Sequence, residues 1–295
     1  MKIMDFKKTG SRQIILGIMT CAVVFTLMGH VPAQASAVVC RLEMDRAVLE
    51  AGRPQNVVLK VSLDAPPSPE RGARPAVNLS LVLDRSGSMA GTKMEKAKAA
   101  AVEALKRLGR DDIFSLVAYD SNVNTIVPAQ KAKDIYEIIR TIEGIRPGGN
   151  TALFGGVSQG AAEIRKSLDK GYVHRMILLS DGLANVGPRM PSDLGRLGAG
   201  LVKENISVTT VGVGTDYNED LMAQLSQKSD GNTYFVESGL DLPRIFAAEL
   251  GDVLNVVAKQ VRVTVTLEKG VSPVRIIGRE GRIRGNEIEL YMNQL

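Results

Sequence analysis

Short apolar runs alternate with amphipathic stretches between residues 78 and 258, and this alternation sets the plan of the chain. Leu79–Leu83 is apolar and stops at Asp84, Val173–Leu179 stops at Ser180-Asp181-Gly182, and Ile206–Val213 is continuous and rich in β-branched residues. Runs this short predict buried strands. Asp112–Tyr119 and Val123–Val127 predict a strand pair, and Thr233–Val236 one more short strand. Between them, Thr92–Leu108, Lys131–Ile142, Ala152–Leu168, Pro191–Glu204, Glu219–Gln227 and Leu242–Leu254 predict helices. Gly109 stops the first and Pro191 opens the fourth. Apolar strands alternating with amphipathic helices imply parallel pairing, because each crossover helix must cover a sheet face. The expected fold is α/β, a doubly wound, mostly parallel sheet with helices on both faces. In such sheets ligands bind beyond the carboxyl ends of the strands.

The flanks change period. Val38–Met44 and Val57–Leu63 read as strands around the turn at Ala51-Gly52-Arg53-Pro54, and Ala65-Pro66-Pro67-Ser68-Pro69 excludes helix and central strand, so it reads as a linker. Beyond residue 258, Val261–Leu267 and Ile288–Met292 alternate cleanly, with turns marked by Gly270, Gly278, Gly281 and Gly285. These segments, 36–77 and 259–295, are expected to pair into one small β-domain, and the natural protein is expected to continue past Leu295.

Residues 1–35 carry basic residues up to Arg12, an apolar run from Ile14 to Met28, and Val31-Pro32-Ala33-Gln34-Ala35, an Ala-x-Ala cleavage pattern. This reads as a secretory leader removed after Ala35; the run is short of the ~20 residues of a membrane span, with an uncleaved anchor as the alternative. Thr20 before Cys21 argues against lipid attachment. Removal leaves Cys40 alone, so no intramolecular disulfide is available, and Cys40 reads as a small buried hydrophobe.

Composition narrows the function. The net charge of +5 falls to 33 basic against 31 acidic residues without the leader, and aromatics are 4% with no Trp. That leaves neither a basic track nor a stacking platform for nucleic acid. The mature chain has a single histidine, His174, at a strand start and so at the end of the sheet away from the expected ligand crevice. No Gly-x-Ser-x-Gly elbow frames Ser86 or Ser88 and no His-Glu-x-x-His run occurs, so neither a serine hydrolase nor a zinc hydrolase is indicated.

Three stretches follow apolar strands or open helices: Asp84-Arg85-Ser86-Gly87-Ser88, Gly148-Gly149-Asn150-Thr151 and Ser180-Asp181-Gly182. Their chemistry fits a hard cation. Mg2+ prefers oxygen ligands, keeps several waters and is often held by one or two carboxylates. Asp84 and Asp181 would supply charge, and Ser86, Ser88 and Thr151 neutral oxygens. Against this stand ordinary turn chemistry for the first and third stretches and helix capping for Thr151. Asp216, Asn218 and Asp220 read as a solvated loop capping the next helix, and Lys93, Lys96 and Lys98 as a solvated helix face.

Asp84-Arg85-Ser86-Gly87-Ser88-Met89 resembles the D-x-S-x-S element of the metal-ion-dependent adhesion site (MIDAS) of the von Willebrand factor A (VWA) family. Gly149-Asn150-Thr151-Ala152-Leu153 resembles its threonine loop, and Leu178-Leu179-Ser180-Asp181-Gly182 its aspartate strand end. Arg85 holds a position the pattern does not constrain. The resemblance implies that Ser86, Ser88 and Thr151 touch the metal, while Asp84 and Asp181 act mostly through water. Ligand type favours Mg2+ (Mn2+ and Ca2+ being alternatives), the ion's poorly cancelled charge would draw a carboxylate from a partner protein, and the style of the leader points to a bacterial protein that is secreted, periplasmic or on the cell surface. Flanking β segments are similar to inter-alpha-trypsin-inhibitor heavy-chain arrangements. A scaffold with a purely structural metal, and a metal-assisted hydrolase, are the rival readings. Movement of the helix Leu242–Leu254 on ligand binding is a further property the resemblance implies.

Overall fold

The computed structural model describes residues 2–8, 23–25, 38–50, 52–65, 75–168, 171–214, 218–237, 239–254, 256, 258–277 and 281–294. The Pro-rich linker, Asp216, Cys21 and the leader apart from its two short strands therefore lie outside the described residues.

The strands are β1 (Lys2–Lys8), β2 (Val23–Phe25), β3 (Val39–Met44), β4 (Asn56–Asp64), β5 (Val77–Asp84), β6 (Ile113–Tyr119), β7 (Val123–Lys131), β8 (Val173–Ser180), β9 (Ile206–Val213), β10 (Thr233–Val236), β11 (Lys259–Thr266), β12 (Val271–Ile277), β13 (Gly281–Arg284) and β14 (Glu287–Gln294). The helices are α1 (Thr92–Arg107), α2 (Ile135–Glu143), α3 (Leu153–Arg165), α4 (Pro191–Leu201), α5 (Glu219–Lys228) and α6 (Leu242–Leu254).

The chain forms two compact units, one of residues 69–256 and one of residues 1–68 with 257–295. In the first, a six-stranded sheet runs β10-β9-β8-β5-β6-β7. All neighbours are parallel except β7, which lies antiparallel on β6. Every residue of β5, β6, β8 and β9 is buried, as expected of parallel strands covered on both faces. Successive side chains leave a strand on opposite faces, and the core divides accordingly. Leu79, Leu81 and Leu83 of β5 pack with α1, α2 and α6. Val82 of β5, Val117 and Tyr119 of β6 and Met176 and Leu178 of β8 pack with α3, α4 and α5. With three helices on each face, the sheet is doubly wound.

Element ends differ from the expected ones for local reasons. Strand β7 runs on through Pro128 to Lys131, and α2 starts only at Ile135. Proline is tolerated there because β7 is an edge strand whose outer side needs no ladder partner. Helix α3 ends at Arg165, and α4 ends at Leu201 in a 3-10 turn closed by Asn205 in the left-handed region (φ 59°).

In the second unit two four-stranded sheets, ordered β12-β1-β4-β3 and β13-β14-β11-β2, are antiparallel in every pair. Leu59 and Val61 of β4 share one core with Val261, Val263, Val265, Ile288, Leu290 and Met292 of β11 and β14. The flanking β segments thus form one small β-domain. Cys40 is half-buried against this core, and burial pushes its thiol pKa up.

Candidate metal centre

The carboxyl ends of β5 and β8 bring the three singled-out stretches to one edge of the sheet. Asp84, the last residue of β5, is fully buried. Its Oδ1 accepts the Ser86 backbone N–H at 2.8 Å, and its Oδ2 accepts the Ser180 hydroxyl at 2.7 Å. Burial pushes its pKa up to about 6 against those two hydrogen bonds, and the nearby Asp181 carboxylate adds to the rise. Removing a buried carboxylate from water disfavours its charged form, and a cation beside it would restore that form.

From Asp84 a chain of oxygens continues. Ser86 Oγ lies 3.0 Å from Ser88 Oγ, and Ser88 Oγ donates to Asp181 Oδ1 at 2.7 Å. Ser86 and Asp181 are buried, whereas Ser88 is exposed at the mouth. Thr151 is buried too, and a Cβ placed on Gly182 would lie 3.4 Å from its Oγ1 and 3.5 Å from Ser88 Oγ. The five expected residues therefore gather in one place: two carboxylates and three hydroxyls. Helix α3 is capped at Ala152, one residue later, and no side chain caps it, so capping does not account for Thr151.

Backbone contacts hold this arrangement from behind. Gly87 N–H donates to Gly149 O at 3.1 Å, and Gly148 N–H to Arg85 O at 2.8 Å, tying the first stretch to the second. Gly149 has φ +78°, a conformation other residues rarely adopt, and a Cβ there would press on Ser121 and Asp120. Asn185 accepts the Thr151 N–H at 2.8 Å and returns its own N–H to Thr151 O at 3.2 Å. Arg85, unconstrained by the sequence pattern, forms an ion pair with Asp120 at 3.0 Å and donates to Asn124 at 2.7 Å. Tyr119, wholly buried, packs where Gly156 leaves room: a Cβ on Gly156 would lie 2.5 Å from its ring. The Tyr119 hydroxyl donates to Leu179 O at 3.3 Å, and burial raises its pKa far above the usual range.

One expectation is corrected. The Lys93, Lys96 and Lys98 set was read as a solvated face, but Lys93 Nζ donates to Asp181 Oδ2 at 2.5 Å inside the cluster, and Lys98 Nζ reaches the carbonyls of Glu143 and Ile145. A sequence signal for Lys93 existed. It occupies the second position of α1, where the helix dipole repels a cation, so a carboxylate partner was to be sought. Asn218 caps α5 by accepting the Leu221 N–H at 3.0 Å, as read. His174 lies near the start of β8, away from the cluster.

The donor set suits a hard cation. Among the described residues no group of three or more His, Cys, Asp or Glu side chains is placed to hold a metal. The oxygens that converge are mostly hydroxyls, which together with two carboxylates suit a hard divalent cation.

Comparison with known proteins agrees with this geometry. The sequence model of the von Willebrand factor type A domain matches residues 78–248. Inter-alpha-trypsin inhibitor heavy chain H2 of Mus musculus is 32% identical over 163 residues, 52% of this chain and 17% of that protein. The chain spans less than half the length of the curated relatives it matches first. Among solved structures, a von Willebrand factor type A protein from Catenulispora acidiphila superposes with a TM-score of 0.63 at 15% identity, covering 94% of this chain and 62% of that one. Proximal thread matrix protein 1 from the mussel byssus, solved with a zinc-occupied MIDAS motif, gives a TM-score of 0.53 at 18% identity over 60% of this chain and 46% of that one. At these identities the structural likeness speaks for the fold alone. VWA domains generally mediate metal-dependent protein interactions. With the family model spanning more than half of it, this chain belongs to the von Willebrand factor type A domain family.

Proposed function

We propose that this chain is an extracytoplasmic binding module, not an enzyme, built on a metal-ion-dependent adhesion site. Asp84, Ser86, Ser88, Thr151 and Asp181 hold one divalent cation, with Mg2+ the expected ion and Mn2+ or Ca2+ its alternatives. The ion supplies an open coordination position for a carboxylate of a partner protein. The observation that carries the reading is the continuous oxygen chain from Asp84 through Ser180, and from Ser86 through Ser88 to Asp181, at the carboxyl edge of the sheet. The hydroxyls that touch the ion are neutral and the two carboxylates act mostly through water, so the ion's charge stays poorly cancelled and draws a negative ligand. In this reading residues 1–35 are a bacterial secretory leader whose removal takes β1 and β2 out of the two antiparallel sheets, leaving 36–77 and 259–295 as the β-domain with its linker and 78–258 as the VWA domain. No helix of the described residues is long and apolar enough to cross a membrane.

Titration of Mg2+ into chelator-stripped protein, followed by calorimetry, tests the site. One binding event is expected, lost in Asp84→Ala and Thr151→Ala variants whose circular dichroism is unchanged. A folded Asp84→Ala variant that still captures the partner would leave the metal a structural role only.

A further inference from the structure

Asp181 already has a cation. Its carboxylate is fully buried, Ser88 occupies one oxygen, and the Lys93 ammonium occupies the other at 2.5 Å. Lys93 approaches from the first turn of α1, immediately beyond the Asp84–Ser88 loop. Room for its head group is provided where β9 ends: Gly214 has φ +80°, and a Cβ there would lie 3.5 Å from Nζ. Gly239 lies against the backbone at the root of this side chain, since an added Cβ would come within 3.4 Å of the Lys93 Cα. The ammonium is thus seated among the ends of α1, β8 and β9, at the carboxylate a metal ion would share. It is only partly sequestered, since the Lys93 side chain is 35% exposed. A flexible four-carbon stem with its head in reach of water can leave and return without unfolding anything.

We propose that Lys93 is a tethered counter-ion that competes with the divalent metal for Asp181, so that this one ammonium sets how tightly the site takes its cation. The inference rests on the metal reading above and adds its regulation. Two carboxylates and one ammonium leave the metal-free cluster one negative charge. A divalent ion entering beside an unmoved ammonium meets like-charge repulsion at close range, which is strong in a half-buried site. Either the ammonium withdraws from Asp181 or the ion binds against its field, and both routes weaken the ion's hold. In the metal-free state the same ammonium keeps a buried carboxylate from standing unpaired.

The test is Mg2+ and Mn2+ titration by calorimetry on chelator-stripped wild type, Lys93→Met, Lys93→Arg and Asp84→Ala, with melting followed in chelator and in excess metal. Methionine keeps most of the stem and removes the charge; arginine keeps the charge. Lys93→Met is expected to bind at least about tenfold more tightly than wild type, the gap narrowing as salt is raised. It should also melt lower than wild type in chelator and gain more from added metal. Lys93→Arg should stay weak. Binding by Lys93→Met that equals or falls below wild type, with the fold intact, overturns the inference while leaving the metal site standing. Binding by Lys93→Met but not by wild type supports it in its strongest form. Absence of binding in every protein overturns the metal reading and this inference together.

Discussion

Near the start of β8, Arg175 meets Glu249 of α6 at 3.2 Å, with both side chains almost wholly buried; just past the end of the same strand, Asp181 meets Lys93 at 2.5 Å, with the lysine side chain 35% exposed. The first pair is closed. Glu249 also accepts the Thr209 hydroxyl at 2.5 Å and the Asn232 amide at 3.0 Å, so both carboxylate oxygens are filled from inside the protein. The second is half open, filled on one side by a hydroxyl at the site's mouth and on the other by a mobile-stemmed cation. Charge chemistry is shared and solvent access is not. A pair that cannot exchange its partner braces α6 against the sheet, whereas a pair that can exchange belongs to a binding site.

The largest expected effect comes from breaking the closed pair. Arg175→Met strands Glu249 in the interior and should cost about 3–5 kcal/mol in urea denaturation of the metal-free protein. Arg175→Met with Glu249→Met together should recover much of that loss, because no charge is then left buried. A single-variant cost below ~1 kcal/mol would remove the distinction between the two ends.

Next comes Asp84, which has no cation of its own in the metal-free protein. Its pKa is raised by burial to about 6 from an ordinary 3.8. A carboxyl whose folded pKa is raised favours the fold when protonated. Its contribution is therefore fully present below 3.8 and is lost as pH rises through about 6. The full span is worth about 3 kcal/mol. Denaturation of chelator-stripped protein should show that downward slope between these limits, and Asp84→Asn should flatten it. An unchanged slope in Asp84→Asn would assign it to other groups.

Lys93→Met follows, at about 1–2 kcal/mol in chelator. The cost is smaller than for Arg175→Met because water can reach the vacated position and Ser88 still donates to Asp181. Equal costs for the two variants would show the ends to be built alike.

How much of this was legible follows the range of the interaction. The parallel sheet was readable because β5, β8 and β9 are uninterrupted apolar runs, a one-dimensional signal. The placement of Asp84, Ser86, Ser88, Thr151 and Asp181 at one edge was readable because each adjoins a strand end or a helix start. Strands β12 and β13 were not, since Val271–Ile277 holds a proline and Gly281–Arg284 is exposed throughout, leaving no alternation to read. The partner of Glu249 lies on a strand far away in sequence, and no periodicity announces it. Lys93 was missed because it was counted with its neighbours as surface charge, when its position in the first turn of α1 was the informative fact.

The smallest expected effect separates surface pairs from both of these. Arg165 of α3 grips Glu204 with two bonds, at 2.7 and 2.8 Å, but its side chain is 43% exposed and that of Glu204 32%. Its geometry is as good as that of the closed Arg175–Glu249 pair, so a difference in outcome between these two Arg–Glu pairs reports chiefly on access to water. The Arg165 hydrogen bond holds the Glu204 carboxyl below its ordinary pKa of 4.5. Stability from this pair is therefore present above 4.5 and is lost as pH falls through the lower folded value. Water and salt screen it, so Arg165→Ala should cost only about 0.2–1 kcal/mol near neutral pH, and less in 1 M salt. A salt-insensitive loss as large as that of Arg175→Met would mean that bond geometry, and not access to water, sets what these pairs contribute.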